Sequence, residues 1–254
     1  MRHALVRAVS PRLADCELSF VARRRIDVEV ATVQHAAYVA ALEALACHVV
    51  RLPALADYPD SVFVEDTALV LDELAVILRP GAVSRQGECD SIAAALAPFR
   101  PLHRIDAPAT LDGGDILQLG RTLYVGQGAR SNAAAVAQLR VLLEPVGYRI
   151  VPVATQGCLH LKSAVTHVAE DAVLVQPGWI DGSIFSDVRR IEVDALEAHA
   201  ANAVRIDDTV LMPASFPRTR ERLALAGIDT RVVDVSELQK AEGAVTCCSL
   251  LFQG

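Results

Sequence analysis

Short apolar runs split by polar pairs recur along this 254-residue chain. Residues 67–71 and 74–79 flank Asp72-Glu73, and residues 116–119 and 122–125 flank Gly120-Arg121. Residues 164–169 and 172–176 flank Glu170-Asp171, and residues 203–206 and 209–212 flank Asp207-Asp208. Two short strands around a polar pair predict a tight hairpin. The turns at residues 72, 120, 170 and 207 are 48, 50 and 37 residues apart, an approximate period that predicts radial or stacked repeats. Helical spacing precedes the first hairpin and follows three of the four. Residues 27–46 place Val30, Val33, Ala37, Ala40 and Ala44 near one face. Residues 131–144 open on a Ser131 cap and bring Ala134, Ala137 and Leu142 together. Residues 88–96 and 218–226 are shorter helices, the second stopped by Gly227. Strands at 48–52, 149–153 and 231–235 come after helices. Strands at 245–251 and 3–9 would jointly supply a fifth unit, pairing the two termini and removing an exposed edge; the alternative is an ordinary α/β sandwich with several hairpins. No linker composition interrupts the pattern, so residues 1–254 are expected to form one α/β domain.

Composition narrows the function. Lys and Arg total 24 against 31 Asp and Glu, a net charge of −7, which argues against a general nucleic-acid binder. The N-terminal Met1–Arg7 run carries charge where a signal peptide needs its apolar stretch, and no run reaches the length of a spanning helix. Six cysteines without CxxC spacing suit neither a disulfide scaffold nor a zinc module. The expectation is a cytoplasmic protein with reduced thiols and no membrane contact.

Four segments place polar groups where loops are expected. Asp60-Ser61-Val62-Phe63-Val64-Glu65-Asp66 holds three carboxylates among apolar residues, unlike a solvated charged face. Asp112-Gly113-Gly114-Asp115 is explained by a tight turn, or by small residues that let a ligand approach while Asp112 projects into a site. His160-Leu161-Lys162-Ser163 offers a histidine, structural in most contexts yet the commonest acid–base group near neutral pH. In Gly243-Ala244-Val245-Thr246-Cys247-Cys248-Ser249, adjacent cysteines on a strand point to opposite faces. One would pack in the core and the other face a cavity, and alternation does not say which. No dinucleotide or phosphate-loop fingerprint follows Gly113-Gly114, and adjacent strand cysteines chelate poorly, so no functional metal is expected.

Together these segments resemble the dimethylarginine dimethylaminohydrolase family. The shared pieces are Phe63-Val64-Glu65-Asp66, Arg79-Pro80-Gly81-Ala82-Val83-Ser84-Arg85, Leu111–Asp115, His160–Ser163 and Thr246–Ser249. The likeness runs from about residue 5 to residue 252. It implies a pentein fold, a five-bladed α/β propeller of ββαβ units around a pseudo-fivefold axis with the site in its central channel. It further implies Cys247 as nucleophile, His160 as general acid and base, and Asp66 and Asp112 as the carboxylates that hold a guanidinium. Glu65 would accompany them. Arg85 and Arg130 would bind the amino-acid end, with Leu18, Asp60, Phe63 and Ala241 lining the pocket. Two positions depart from the family pattern: Ala241 is smaller than the usual aliphatic residue, and Glu242 replaces the usual Asp.

The implied reaction is hydrolysis of Nω-methylated arginine to citrulline through a cysteine-bound thiouronium, without a cofactor. A guanidinium carbon is a poor electrophile because its charge is delocalised. Paired carboxylates grip its N–H fork by charge-assisted hydrogen bonds and fix the carbon against the thiolate. The expected partner is therefore a small molecule, and a homodimer is compatible with the apolar surface. Two alternatives stay open: an arginine deiminase or other guanidine-modifying pentein enzyme, and a non-catalytic pentein that only binds.

Overall fold

The computed structural model describes residues 1–254. Strands β1 (Arg2–Arg7) and β2 (His48–Leu52) come first. They are followed by β3 (Ala68–Val70), β4 (Ala75–Ile77) and β5 (Leu102–Arg104), then by β6 (Ile116–Leu119), β7 (Thr122–Gln127) and β8 (Arg149–Ala154). Next are β9 (Val165–Ala169), β10 (Ala172–Val175) and β11 (Arg189–Glu192), then β12 (Val204–Ile206), β13 (Thr209–Pro213) and β14 (Asp229–Val233), and last β15 (Leu250–Gln253). They form five three-stranded sheets. Each has an antiparallel pair followed by a parallel one: β4 runs antiparallel to β3 and parallel to β5, and the other sheets repeat this. All four hairpins read from the polar pairs are present. The remaining sheet combines both ends of the chain, with Ala4 opposite Leu251 across the antiparallel β1–β15 pair. No helix is long and apolar enough to cross a membrane.

Parallel neighbours need a crossover, and helices supply it. Helix α1 (Val28–Ala44) joins β1 to β2, α2 (Cys89–Leu96) joins β4 to β5, and α3 (Ala133–Leu143) joins β7 to β8. Helix α5 (Pro217–Leu225) joins β13 to β14, and two short helices lie outside the crossovers, α4 (Leu161–Ala164) before β9 and α6 (Ser236–Lys240) after β14. The β10–β11 crossover has only a 3-10 turn at Gly182–Phe185. Residues of β3, β6, β9, β12 and β15, among them Ala68, Ile116, Thr166, Val204 and Leu250, line one shared cavity of about 320 Å³.

Three local expectations are corrected. The apolar stripe expected to bury α1 faces solvent: Val33 is 69% exposed, and Val30, Ala37, Ala40 and Ala44 are exposed too. The buried face carries Gln34, His35, Tyr38, Val39 and Leu42. Tyr38 decides the rotation. Its hydroxyl donates to Val245 O at 2.9 Å and shares a 2.7 Å hydrogen bond with Ser249 Oγ, so α1 turns toward the C-terminal segment. In α3 the cap is Asn132, whose side chain accepts from Ala135 N–H at 3.1 Å; the buried residues are Ala135, Val136, Leu139 and Leu143, not the Ala134 face. Ser131 is engaged elsewhere, as described below. Residues 245–248 form a turn rather than a strand, so β15 begins only at Leu250.

Candidate active site

The turn that displaces the expected strand carries Cys247, which is 8% exposed. Its Sγ accepts the Ala244 N–H at 3.4 Å and lies 3.8 Å from Thr246 Oγ1. Cys248 is fully buried and its Sγ donates to Ala244 O at 3.3 Å. The two thiols are thus separated by a turn, not by strand alternation, and of the two Cys247 lines the site cavity. Asn202 holds the turn from below: its side chain accepts the Thr246 N–H at 3.0 Å and donates to Thr246 Oγ1 at 2.9 Å. Thr246 Oγ1 in turn donates to Glu65 Oε2 at 2.8 Å. Burial, then the charges of Glu65 and Asp66, push the Cys247 thiol up to about 12.

His160 immediately precedes α4, lines the same cavity as Cys247 and is 5% exposed. Its Nε2 lies 2.9 Å from Asp112 Oδ2 and 3.9 Å from Asp66 Oδ1. Burial disfavours its charged form, but Asp66, Asp112 and Asp115 outweigh burial and push it up to about 10. At neutral pH the unliganded site therefore pairs an imidazolium with a protonated thiol. Asp112 is fixed from both sides: Oδ1 accepts the Gly81 N–H at 2.7 Å, and its own N–H donates to Ser131 Oγ at 3.2 Å. Ser131 also donates to Asp115 Oδ2 at 2.6 Å, which is why it is not the helix cap. Burial pushes the Asp115 carboxyl up to about 6.

The two glycines beside Asp112 answer to neighbours within the protein. A Cβ on Gly113 would lie 1.9 Å from Glu65 O, and one on Gly114 would lie 2.6 Å from His160 Nδ1. Close approach of the His160 imidazole and of the Glu65 backbone requires both positions to lack side chains.

Asp66 Oδ1 accepts the Gly114 N–H at 3.0 Å, and Oδ2 accepts from Arg85 Nη1 at 2.6 Å. Burial opposes ionisation, yet His160 and Arg85 hold the Asp66 carboxyl below its ordinary value. Arg85 is densely engaged. Its Nε and Nη2 bond Glu88 at 3.1 and 2.9 Å, and Nη2 also reaches Phe63 O at 2.8 Å. Arg130 differs: it is 9% exposed and its Nη2 donates to Ser19 Oγ at 3.2 Å.

Cys247, His160, Asp112, Asp66, Asp60, Phe63, Arg85, Arg130 and Ala241 line one small cavity of about 20 Å³. Glu65 and Leu18 do not line it. The Glu65 side chain points to Lys162 Nζ, 2.7 Å away, and borders the larger central cavity. Leu18 is half-buried against the α1 core, while its neighbour Glu17 reaches the site. Reading the sequence missed Glu88, Asn202 and Ser131. Glu88 is signalled only by an Arg-x-x-Glu spacing, which surface helices share; Asn202 and Ser131 have no local signal. Asp66, Asp112 and His160 offer ligand atoms within 4.8 Å of one another. A metal there would compete with the His160 proton and with Arg85 for the same lone pairs.

No protein-family model matches the sequence. The chain is 40% identical to the N(G),N(G)-dimethylarginine dimethylaminohydrolase of Streptomyces coelicolor, over 98% of this chain and 96% of that protein. It is similar in structure to the Pseudomonas aeruginosa enzyme of that name, solved as a cysteine-to-serine mutant complexed with citrulline: TM-score 0.94, 36% identity, 98% of each chain. A histidine-to-glycine dimethylarginine dimethylaminohydrolase bearing an adduct with S-methyl-L-thiocitrulline matches with TM-score 0.94 and 36% identity, over 98% of this chain and 99% of that one.

Proposed function

Because the chain belongs to the dimethylarginine dimethylaminohydrolase family, we propose that it hydrolyses Nω-methylated arginines to citrulline and a methylamine. The observation that carries the reading is the convergence of a thiol, an imidazolium and two carboxylates on one buried cavity. Asp66 and Asp112 keep unused lone pairs beside their internal bonds, so each can still accept from a guanidinium N–H. Once substrate binding has driven the thiol proton to solvent, Cys247 Sγ attacks the guanidinium carbon as the thiolate. The C–N bond to dimethylamine breaks, and His160 gives its proton to the departing nitrogen. A thiouronium remains. Neutral His160 then takes one proton from water, whose oxygen attacks the same carbon; the C–S bond breaks, and the remaining O–H proton leaves to solvent as the carbonyl forms, releasing citrulline and returning the thiolate. The test is citrulline release from asymmetric dimethylarginine, monomethylarginine and arginine in parallel. Turnover of the methylated substrates supports the reading, and turnover of arginine alone replaces it with a deiminase.

A thiol pushed up to about 12 is ionised only to roughly one part in 10⁵ at pH 7. A guanidinium seated between Asp66 and Asp112 offsets the negative charge and favours the thiolate. Thiolate absorbance, taken as the difference between wild type and Cys247→Ser, is expected to show a midpoint at least about one unit lower with a non-hydrolysable amidine analogue of arginine bound. An unchanged midpoint contradicts this.

The two arginines divide their work. Arg85→Gln removes the buried ion pairs of both Asp66 and Glu88 and is expected to destabilise the fold by about 3–5 kcal/mol, read by denaturant unfolding. Arg130→Gln loses one part-buried hydrogen bond, to Ser19 Oγ, and breaks no ion pair, leaving stability within about 1 kcal/mol. It is expected to raise KM about tenfold to a hundredfold through loss of the substrate carboxylate contact.

A further inference from the structure

Residues 17–26 run beside the site without a single backbone–backbone hydrogen bond. Side chains hold them instead. The base of the loop is clipped: Arg23 donates to Ala14 O and Cys16 O at 2.8 and 2.6 Å, and Lys240 Nζ donates to Arg25 O at 3.1 Å. The tip is held by one carboxylate. The backbone N–H groups of Ser19 and Val21 donate to Glu242 at 2.9 and 2.6 Å, and the Phe20 N–H between them donates to it as well. Three consecutive amides converging on one anion form an anion-binding nest. Glu242 has φ +59, a left-handed conformation uncommon outside glycine.

The loop and its holder belong to the site. Glu17 and Glu242 line the cavity that contains Cys247, and the Glu17 N–H donates to Asp60 Oδ2 at 3.1 Å. Phe20 and Val21 line a neighbouring cavity of about 290 Å³, divided from the first by Leu159, Glu242 and Gly243, which border both. A cavity of about 20 Å³ has no room for an arginine derivative, so its wall must move to admit one, and the segment that leaves that wall at Glu17, free of backbone hydrogen bonds, is the one built to move.

We propose that Glu242 is a positioning residue whose carboxylate latches the 17–21 loop over the active site, and that substrate entry requires the latch to open. The proposal rests on the function argued above. Three charge-assisted bonds to one group make opening all-or-none at the tip, with the clipped base as a fixed hinge. Arg130 donates to Ser19 Oγ on the same loop, so the group proposed to take the substrate carboxylate also touches the latched segment. Glu242 follows Ala241 directly and precedes the Cys247 turn, so the latch ties the loop to the segment that carries the nucleophile.

Amide hydrogen exchange at residues 19–21 tests this in the full chain. Glu242→Gln keeps the side-chain length and removes the charge; Glu242→Asn removes reach but tolerates the left-handed backbone. Both are expected to exchange at least about tenfold faster at 19–21, with β7 unchanged. Glu242→Asp, which keeps the carboxylate, is expected to recover part of the protection. In Glu242→Gln, KM for dimethylarginine is expected to fall by about the factor by which exchange at 19–21 rises, while kcat stays within about twofold. Unchanged exchange at 19–21 in both neutral variants overturns the latch. Exchange is read without turnover, so an inactive wild type would strike the proposed function and leave the latch standing.

Discussion

Cys247→Ser is expected to bind citrulline yet release none from dimethylarginine, with kcat down by at least about 10⁴-fold. A serine hydroxyl is far less acidic than a thiol, and the position is buried beside Glu65 and Asp66, which resist a second negative charge. No base is poised to help, because His160 is held as an imidazolium up to about 10. Cys248→Ser is the control. That side chain packs in the core and bonds Ala244 O, so turnover is expected within about tenfold of wild type. Activity lost in the Cys248 variant and kept in the Cys247 variant would exchange their roles.

His160→Asn is expected to lower kcat by about 10²–10⁴-fold, the usual range for a positioned acid and base. The pH profile separates this role from a structural one. In the wild type, kcat/KM should climb with pH as the thiol ionises, then level off near pH 10 as the imidazolium that protonates the leaving amine is lost. The asparagine variant should keep climbing past pH 10, following the thiol alone. An identical profile at reduced amplitude would mean that His160 only supports the site.

The repeat was legible because hairpins are local objects. Alternation and a polar pair specify both strands and their turn, and β6–β7 and β12–β13 follow the reading closely. The face of α1 was not legible. Its alanine-rich sequence offers little contrast between sides, and the buried side includes Gln34, which donates to Ser236 Oγ at 2.8 Å and accepts the Glu237 N–H at 2.9 Å. A polar residue satisfied by a partner 200 residues away leaves no trace in helical spacing. The same limit applies at the site. Asp66, Asp112, His160 and Cys247 could be singled out as segments, and the family resemblance ordered them, but their convergence is tertiary. Glu88 and Asn202 act only through contacts that the fold creates. Alternation placed the paired cysteines on a strand because it could not foresee Tyr38 and Asn202 folding that stretch into a turn.

The central claim is covalent chemistry at Cys247 on a methylated guanidinium. Acid quench during turnover of dimethylarginine, followed by mass spectrometry of the peptide bearing Cys247 and Cys248, tests it directly. The account predicts an adduct equal to substrate less dimethylamine, assigned by fragmentation to Cys247. Citrulline accumulating while both thiols stay unmodified, or an adduct on Cys248, would contradict it.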